Sequence, residues 1–409
     1  MSKRVVVTGM AITSPLGSTV ESAYKRLHTL ENCVQYDPNL EKYKGLHTRL
    51  DTKVKDFVVP PEFTRKVTRT MGNVALLSVV TAKQALEDAG LLNDPIISSE
   101  QTGVSYGSCA GSIDALMDFY AMCVNLEVKT LNSGSYIRMM SHTSAVNISI
   151  YFKTHGRIIP TSTACTSGSM GIGYAYEAIK SGMQTIMIAG GAEEHSPGNI
   201  GVFDTLFATT VKNNTPHLTP SPFDKDRDGL VIGEGSGTLI LEEYEHAKAR
   251  GAKIYAEIVG FATNSDGAHI TNPNPEMMAE VMRLSLKNAN LSADAIGYLN
   301  AHGTATINGD IAESVASYNV FKDKCPISTI KSYTGHTLGA CGAIEAILGI
   351  EMMSNDWYCP NINLKNVDER CAELDYIMTE PRIINTEYMM SNNFAFGGIN
   401  TSLIFKRWH

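Results

Sequence analysis

The sequence has no long apolar run, no cluster of basic residues and no paired-cysteine spacing, and each absence narrows the possible functions. No apolar stretch reaches the roughly 18 residues that span a bilayer, and the first residues lack a signal-peptide pattern. We therefore expect no membrane span and a cytoplasmic location. Lys and Arg total 34 against 42 Asp and Glu, and the formal net charge of −8 argues against nucleic acid as the main partner.

The cysteines give a further exclusion. The eight cysteines show no CxxC pair and no paired histidine spacing, so they predict neither a disulfide framework nor a zinc site. Most are expected to be small buried apolar residues, which leaves at most one or two with a chemical role.

The composition is that of a globular protein with a sizeable core. Of the 409 residues, 43% are apolar and 19% are charged, as in ordinary folded domains. Short β-branched runs alternate with helical periods, a pattern that predicts a layered α/β fold. A charged stretch precedes Gly251, so we predict two halves, residues 1–250 and residues 251–409.

Cys165 lies where a β-prone segment meets a helical pattern. Residues 157–163 favour a strand, small residues surround the cysteine, and helical periodicity continues to Lys180. A thiol at a helix N-terminus faces free N–H groups and the positive end of the helix dipole, which predicts a lowered pKa and a usable thiolate. The alternative is a small cysteine buried in the core.

Two histidines occupy equivalent places in the second half of the chain. His302 follows the β-run 296–300, and His336 follows the β-run 326–330 and precedes a helix. Such positions place side chains at the carboxyl ends of strands, although an ordinary turn histidine is the alternative for each. Phe396 lies beside two glycines in a small-residue loop, which predicts either a movable gate or a tight turn.

A cysteine and two histidines suit carbon–carbon chemistry on thioesters. The thiolate can hold an acyl group, and two imidazole N–H groups can stabilise the oxyanion of a thioester enolate. A protease-like set, in which one histidine is the base and an asparagine orients it, uses the same residue types. The residues alone leave both arrangements open.

Taken together, these segments resemble the β-ketoacyl-[acyl-carrier-protein] synthases, most closely the elongating type with a Cys-His-His set. The resemblance extends over essentially the whole chain and rests on four motifs in the family's order, at residues 161–169, 300–310, 330–340 and 392–400. It implies the thiolase-like α/β fold, in which two pseudo-symmetric halves form an α-β-α-β-α layered domain that works as a dimer.

The resemblance also implies roles for individual residues. Cys165 would accept the acyl group, while His302 and His336 would hold the malonyl thioester oxygen and promote loss of CO2. Lys331, with Glu313, would balance the charge of the site. Phe396 would be the gate, and its backbone N–H would form the oxyanion hole with that of Cys165.

The resemblance also implies contacts with the substrate and its carrier. Thr304 and Thr306 would bind the phosphopantetheine arm, Asp266 would lie in a second mobile loop, and Ala110 would lie on the floor of the acyl pocket. The docking patch for the acidic carrier would consist of Arg65, Lys66 and Arg69.

The implied reaction is a decarboxylative condensation of an acyl-cysteine with malonyl-[acyl-carrier-protein], which needs no metal or redox cofactor. Ala110 stands where housekeeping enzymes tend to carry a larger aliphatic residue. It predicts a deeper pocket and favours a specialised type II polyketide role, such as aryl polyene synthesis, over housekeeping fatty-acid elongation. The partners would be acyl-carrier protein and a second copy or a chain-length-factor paralogue. A non-catalytic chain-length-factor scaffold is disfavoured because such scaffolds lack the cysteine found here at Cys165.

Overall fold

The computed structural model describes residues 2–409, which contain fifteen strands and thirteen α-helices. The strands are β1 (Val5–Thr13), β2 (Gln35–Tyr36), β3 (Leu50–Thr52), β4 (Thr102–Gly107), β5 (Ile158–Thr161), β6 (Ile186–Glu193), β7 (Ile232–Gly233), β8 (Gly235–Glu243), β9 (Ala256–Ser265), β10 (Ile296–Asn300), β11 (Ile327–Ser328), β12 (Trp357–Tyr358), β13 (Arg382–Ile383), β14 (Tyr388–Ala395) and β15 (Ile399–Arg407). The helices are α1 (Val20–Leu27), α2 (Arg65–Thr68), α3 (Asn73–Asp88), α4 (Ile113–Asn125), α5 (Ser133–Met139), α6 (Thr143–Phe152), α7 (Ser167–Lys180), α8 (Pro197–Thr205), α9 (Tyr244–Ala249), α10 (Pro275–Ala289), α11 (Ile307–Phe321), α12 (Lys331–Thr334) and α13 (Cys341–Ser354).

Ten strands form one sheet whose two sides repeat the same plan, in the order β11-β10-β14-β15-β9-β1-β8-β6-β4-β5. On one side β5 and β6 run parallel to β4, and β8 runs antiparallel to β6 and β1. On the other side β11 and β14 run parallel to β10, and β15 runs antiparallel to β14 and β9. The sides meet where β1 pairs with β9. This repeat confirms the predicted pseudo-symmetry.

Helices form the remaining layers. The helices α7 and α13 pack together in the middle, between the two sides of the sheet. On the outside, α3 covers β1 and β8 and α6 covers β4 and β5, while α10 covers β9 and β15 and α11 packs against α10. A Cβ added at Gly168 of α7 would come within 2.8 Å of the Gly339 carbonyl oxygen, so glycine is needed for this close approach. The two central helices are buried along most of their length. The α-β-α-β-α layering is as predicted.

The predicted elements agree with the observed ones in type more closely than in bounds. The strand β10 spans the predicted residues, and α7 ends at Lys180, where the helical periodicity ends. The helix predicted after His336 begins only at Cys341, because Leu338–Ala340 forms a 3-10 turn. The division at residue 250 stays a prediction, since both halves share one sheet. Within residues 2–409, no helix has both the length and the apolar character needed to cross a membrane.

Candidate active site

Cys165 lies on a strained turn between β5 and α7. Ala164 has a φ of +51°, in the left-handed region that residues other than glycine rarely adopt, and α7 begins two residues after the cysteine. Hydroxyl contacts hold the turn: Ser167 Oγ donates to the Ala164 carbonyl at 2.7 Å, and the Thr163 N–H donates to Ser167 Oγ at 3.0 Å. The turn places the sulfur at the N-terminal end of α7, as predicted.

His302 and His336 are each placed by hydrogen bonds of their own backbone. His302 lies two residues after β10, and its N–H donates to Glu313 at 2.7 Å. His336 follows α12, and its N–H donates to the Val231 carbonyl at 2.7 Å beside β7. Both side chains are buried, so both rings are held in fixed positions.

The structure brings the cysteine and the two histidines together. The Cys165 sulfur and one ring nitrogen of each histidine all lie within 4.8 Å of one another. The His302 and His336 ring centroids are 5.2 Å apart, with the ring planes at 87°. All three residues line a cavity of about 380 Å³, so groups from distant segments face one pocket.

Hydrogen bonds fix the tautomer of both imidazoles. Nδ1 of His302 lies 3.2 Å from Nζ of Lys331 and 3.3 Å from Nδ2 of Asn393, and Nδ1 of His336 accepts the Leu338 N–H at 3.3 Å. Because Nδ1 accepts in each ring, the proton of the neutral ring lies on Nε2. Nε2 of His336 is buried and has no hydrogen-bond partner among residues 2–409. This nitrogen is a donor available to a ligand.

Burial and a neighbouring charge keep the two imidazoles neutral. Burial lowers the pKa of His302 and of His336 well below the usual value, and the Lys331 ammonium lowers both further. The site therefore holds two neutral imidazoles at physiological pH, and they can donate hydrogen bonds without carrying a charge.

Lys331 pairs with Glu345, and the prediction of Glu313 as its partner is wrong. Lys331 and Glu345 form an ion pair with side chains 1% and 2% exposed. Burial, the largest single effect, lowers the pKa of Lys331, but Glu345 and the other acidic groups around it, including Glu313, together outweigh burial and raise this pKa. Glu313 instead accepts the backbone N–H groups of His302 and Gly303, both at 2.7 Å. Its carboxylate is occupied in holding that turn.

The predicted lowering of the Cys165 pKa is also wrong. Burial raises the pKa of the thiol to about 12, and the Lys331 charge lowers it by less than burial raises it. The backbone N–H groups of Cys165 and Phe396 also face the sulfur. The loss of hydration therefore raises the pKa of Cys165 by more than the helix N-terminus lowers it. These two N–H groups occupy the places predicted for an oxyanion hole.

Phe396 lies in the wall of the cavity within the predicted glycine-rich loop. Its ring stacks on Phe203 of α8, with ring centroids 5.4 Å apart. Gly397 and Gly398 follow with φ of +89° and +69°, which an L side chain would adopt only with strain. Ala395, which precedes Phe396, is outside the left-handed region, so its methyl group adds no backbone strain.

The predicted substrate contacts line the same cavity. The hydroxyls of Thr304 and Thr306 are 2.9 Å apart. Asp266 joins two loops of the wall, because its N–H donates to the Gly398 carbonyl at 2.7 Å and its carboxylate accepts from Asn400 at 2.7 Å. The cavity wall therefore offers hydroxyl and carboxylate groups beside the gate.

Lys331 lies behind the cavity wall, against His302, and four further predicted site residues lie away from the wall. Ala110, expected on the pocket floor, is half-buried in the turn after β4. The Cys109 N–H in that turn donates to Glu193 at 2.8 Å, and the Gly111 N–H donates to Ser108 at 3.1 Å, so the turn closes on itself. The other three are exposed on or directly after the single turn of α2: Arg65, Lys66 and Arg69.

Sequence reasoning missed three residues that contact the site. Asn393 bonds to Glu345 at 2.7 Å, and Phe203 stacks on the gate. Glu193 accepts the Cys109 N–H, and burial raises its pKa to about 7. Only Asn393 gave a signal that could have been read, because it is one of two consecutive asparagines at the end of an apolar strand.

Comparisons with known proteins agree with this geometry. Residues 2–247 match the family described as Beta-ketoacyl synthase, N-terminal domain, and residues 255–365 match Beta-ketoacyl synthase, C-terminal domain. The chain is 37% identical to 3-oxoacyl-[acyl-carrier-protein] synthase 2 of Vibrio harveyi, over 100% of this chain and 99% of that protein. It is 35% identical to 3-oxoacyl-[acyl-carrier-protein] synthase 1 of Escherichia coli (strain K12), over 99% of both chains.

Solved structures share the fold over the full length. A beta-ketoacyl synthase from Burkholderia phymatum STM815 is 54% identical, with a TM-score of 0.98 and complete coverage of both chains. The ishigamide ketosynthase/chain length factor is 28% identical, with a TM-score of 0.90 and complete coverage of both chains. A type II polyketide acyl-carrier protein in complex with its ketosynthase is also 28% identical, with a TM-score of 0.88 and complete coverage of both chains.

Proposed function

The chain belongs to the β-ketoacyl synthase family, and we propose that it condenses an acyl group on Cys165 with a malonyl thioester carried by acyl-carrier protein. One observation carries this proposal: the sulfur and the two imidazole nitrogens lie within 4.8 Å of one another. Two backbone N–H groups face the same sulfur. The site thus combines one nucleophile with two sets of hydrogen-bond donors, one for each thioester carbonyl of the reaction.

In the first step Cys165 takes the acyl group from its carrier. The sulfur attacks the thioester carbon, and the N–H groups of Cys165 and Phe396 stabilise the negative oxygen that forms. The carrier thiol then leaves and takes the proton that the Cys165 thiol gives up. The acyl group passes from the carrier sulfur to the Cys165 sulfur and the proton passes the other way, so atoms and charges balance.

In the second step the malonyl thioester oxygen accepts the Nε2–H groups of His302 and His336. As CO2 departs, the electron pair of the breaking carbon–carbon bond passes to the α-carbon, and the two donors stabilise the enolate. The enolate carbon attacks the acyl group on Cys165, and the Cys165 thiolate leaves. The product is a β-ketoacyl carrier protein that is two carbons longer.

The decisive test uses purified protein with acyl-carrier and malonyl-carrier substrates and mass spectrometry of the products. We expect two-carbon extension with release of CO2, and no condensation by Cys165→Ala. His302→Ala should still accept an acyl group on Cys165 but lose malonyl decarboxylation. Absence of acylation on Cys165 in the unmodified protein would contradict the proposal and favour the non-catalytic scaffold.

The carrier protein would cover the mouth of the cavity, where large apolar side chains are exposed among polar ones. Leu206, Phe207, Ile270 and Ile307 line the cavity and are exposed. Phe207 is 81% exposed and has a φ of +53°, a strained conformation for a bulky residue. Among the described residues that line the cavity there is no lysine or arginine. The rim would therefore give the carrier apolar contacts, and the charge attraction would come from the α2 patch of Arg65, Lys66 and Arg69.

A single substitution tests carrier docking at the rim. Phe207→Ser should raise KM for carrier-linked substrates and leave turnover of a short pantetheine thioester unchanged. Val202→Ser is the matched control, since Val202 is 59% exposed on α8 but does not line the cavity. An equal loss with both kinds of substrate would contradict docking at Phe207.

The relatives support fatty-acid elongation at least as well as the specialised polyketide role that the sequence favoured. The argument for the specialised role is the deeper acyl pocket that the small side chain of Ala110 predicts. Its neighbour Cys109 packs against the same apolar cluster as Phe203, so we place the acyl chain behind the Phe203–Phe396 stack with its end towards Ala110. Ala110→Ile should then shorten the longest products, and unchanged product lengths would contradict this path.

A second subunit would cover either of two unpartnered features, the apolar face of α4 and the edge strand of the sheet. Leu116, Tyr120 and Val124 recur every four residues on α4 and are exposed, and β5 is the outermost strand on its side. Light scattering of the purified chain tests the partner. A dimer supports a second copy, whereas a monomer that dimerises only with a chain-length-factor paralogue supports the heterodimer.

A further inference from the structure

Asn393 bridges two members of the site. It lies on β14, three residues before Phe396, and is fully buried. Its Nδ2 is 2.7 Å from Oε2 of Glu345 and 3.3 Å from Nδ1 of His302. An amide nitrogen carries two hydrogens, so this one side chain can donate to both acceptors at once.

The surroundings allow only one orientation of this amide. If the group were turned over, Oδ1 would face a carboxylate oxygen of Glu345 and the lone pair on Nδ1 of His302, which are two repulsive contacts. In the observed orientation Oδ1 lies beside Gly342 and accepts no hydrogen bond from residues 2–409. The electrostatics at Glu345 and His302 therefore direct the N–H groups towards those two residues.

Lys331 closes a ring of contacts with the same residues. Its ammonium pairs with Oε1 of Glu345 and lies 3.2 Å from Nδ1 of His302. Glu345 therefore anchors two donors, one charged and one neutral, that converge on one ring nitrogen. Lys331 brings a charge to His302, whereas Asn393 brings a directed hydrogen bond with no charge.

We propose that Asn393 is a positioning residue that holds His302 in the tautomer with its proton on Nε2, aimed at the malonyl thioester oxygen. This inference rests on the proposed function. It makes malonyl decarboxylation depend on Asn393. Acylation of Cys165 does not depend on it, because that step uses the backbone N–H groups of Cys165 and Phe396.

The first test separates the two partial reactions. Asn393→Ser should lower malonyl decarboxylation by about ten- to a hundredfold, as loss of a group that orients a reacting histidine does elsewhere, and leave acylation of Cys165 unchanged. Asn147→Ser is the matched control, because Asn147 is equally buried, on α6, and bonds to Thr70 and Thr143 away from the cavity. The control should keep both reactions. Loss of both reactions in Asn393→Ser, or of neither, would overturn the proposal.

The second test reads the tautomer directly and needs no turnover. Nitrogen-15 NMR of histidine-labelled protein, assigned with His302→Ala, should show His302 protonated on Nε2 in the unmodified chain and on either nitrogen in Asn393→Leu. Leucine has the same branched shape as asparagine and adds no charge beside Glu345, so Asn393→Leu remains informative where the smaller serine disturbs folding. An unchanged tautomer in Asn393→Leu would refute the positioning role. The tautomer shift in a protein that never decarboxylates malonyl substrates would instead refute the proposed function.

Discussion

Replacement of Lys331 by methionine should destabilise the protein and abolish decarboxylation by two separable routes. The Lys331 and Glu345 side chains are 1% and 2% exposed, so the variant leaves a buried carboxylate without its counter-charge. Removal of one partner of a buried ion pair costs roughly 3–5 kcal/mol. Asn393 and Asn300 lie 2.7 and 3.5 Å from Glu345 and can still donate to it, which favours the lower end of that range.

The destabilisation should depend on pH. Burial raises the pKa of Glu345 even beside Lys331, and loss of the ammonium raises it further. A carboxyl group with a higher pKa in the folded state binds its proton more tightly there. Its contribution to stability is therefore complete below the unfolded pKa of about 4.3 and is lost as pH rises through the folded pKa. Urea unfolding should show a gap between Lys331→Met and the unmodified protein that widens with rising pH.

A double variant separates stability from chemistry. In Lys331→Met/Glu345→Gln the buried charge is gone, so most of the lost free energy of unfolding should return. Decarboxylation should stay low, because Nδ1 of His302 has lost its charged donor. The reasoning is refuted by a double variant as unstable as Lys331→Met, or by one that regains decarboxylation.

Two further changes test the pocket around the thiol. Glu193→Gln removes a buried negative charge that raises the pKa of Cys165, so iodoacetamide should alkylate Cys165 faster at a pH above about 7, where Glu193 is ionised. The control is Glu194→Gln, because Glu194 is also buried but bonds to the first turns of α3 and α4; it should leave the alkylation rate unchanged. Slower alkylation of Cys165 in Glu193→Gln would contradict the electrostatic argument. Phe203→Ala removes the ring stacked on Phe396 and should speed acylation of Cys165 in rapid-quench assays, whereas a slower rate would show that the stack does not restrain the gate.

The sequence by itself determined the element types and the positions of the reacting groups. Cys165 and His302 each follow a β-prone segment, and the local pattern placed them at a helix start and after a strand end. His336 was predicted directly after a β-run, whereas in the structure α12 lies between β11 and His336. Strand and helix periodicity depends on neighbouring residues, and the predicted layered α/β fold was confirmed for that reason. The motif that contains Phe396 identified the gate loop in the same way.

Only the tertiary structure decided which charged residues pair and how the pKa of the reacting thiol shifts. The resemblance indicated Glu313 beside Lys331, whereas the folded chain pairs Lys331 with Glu345 and uses the Glu313 carboxylate to hold the turn at His302. The pKa of Cys165 moved opposite to the local prediction, because residues distant in the chain bury the sulfur. Hydration and contact distance depend on segments that meet only after folding, whereas periodicity is a property of each segment alone.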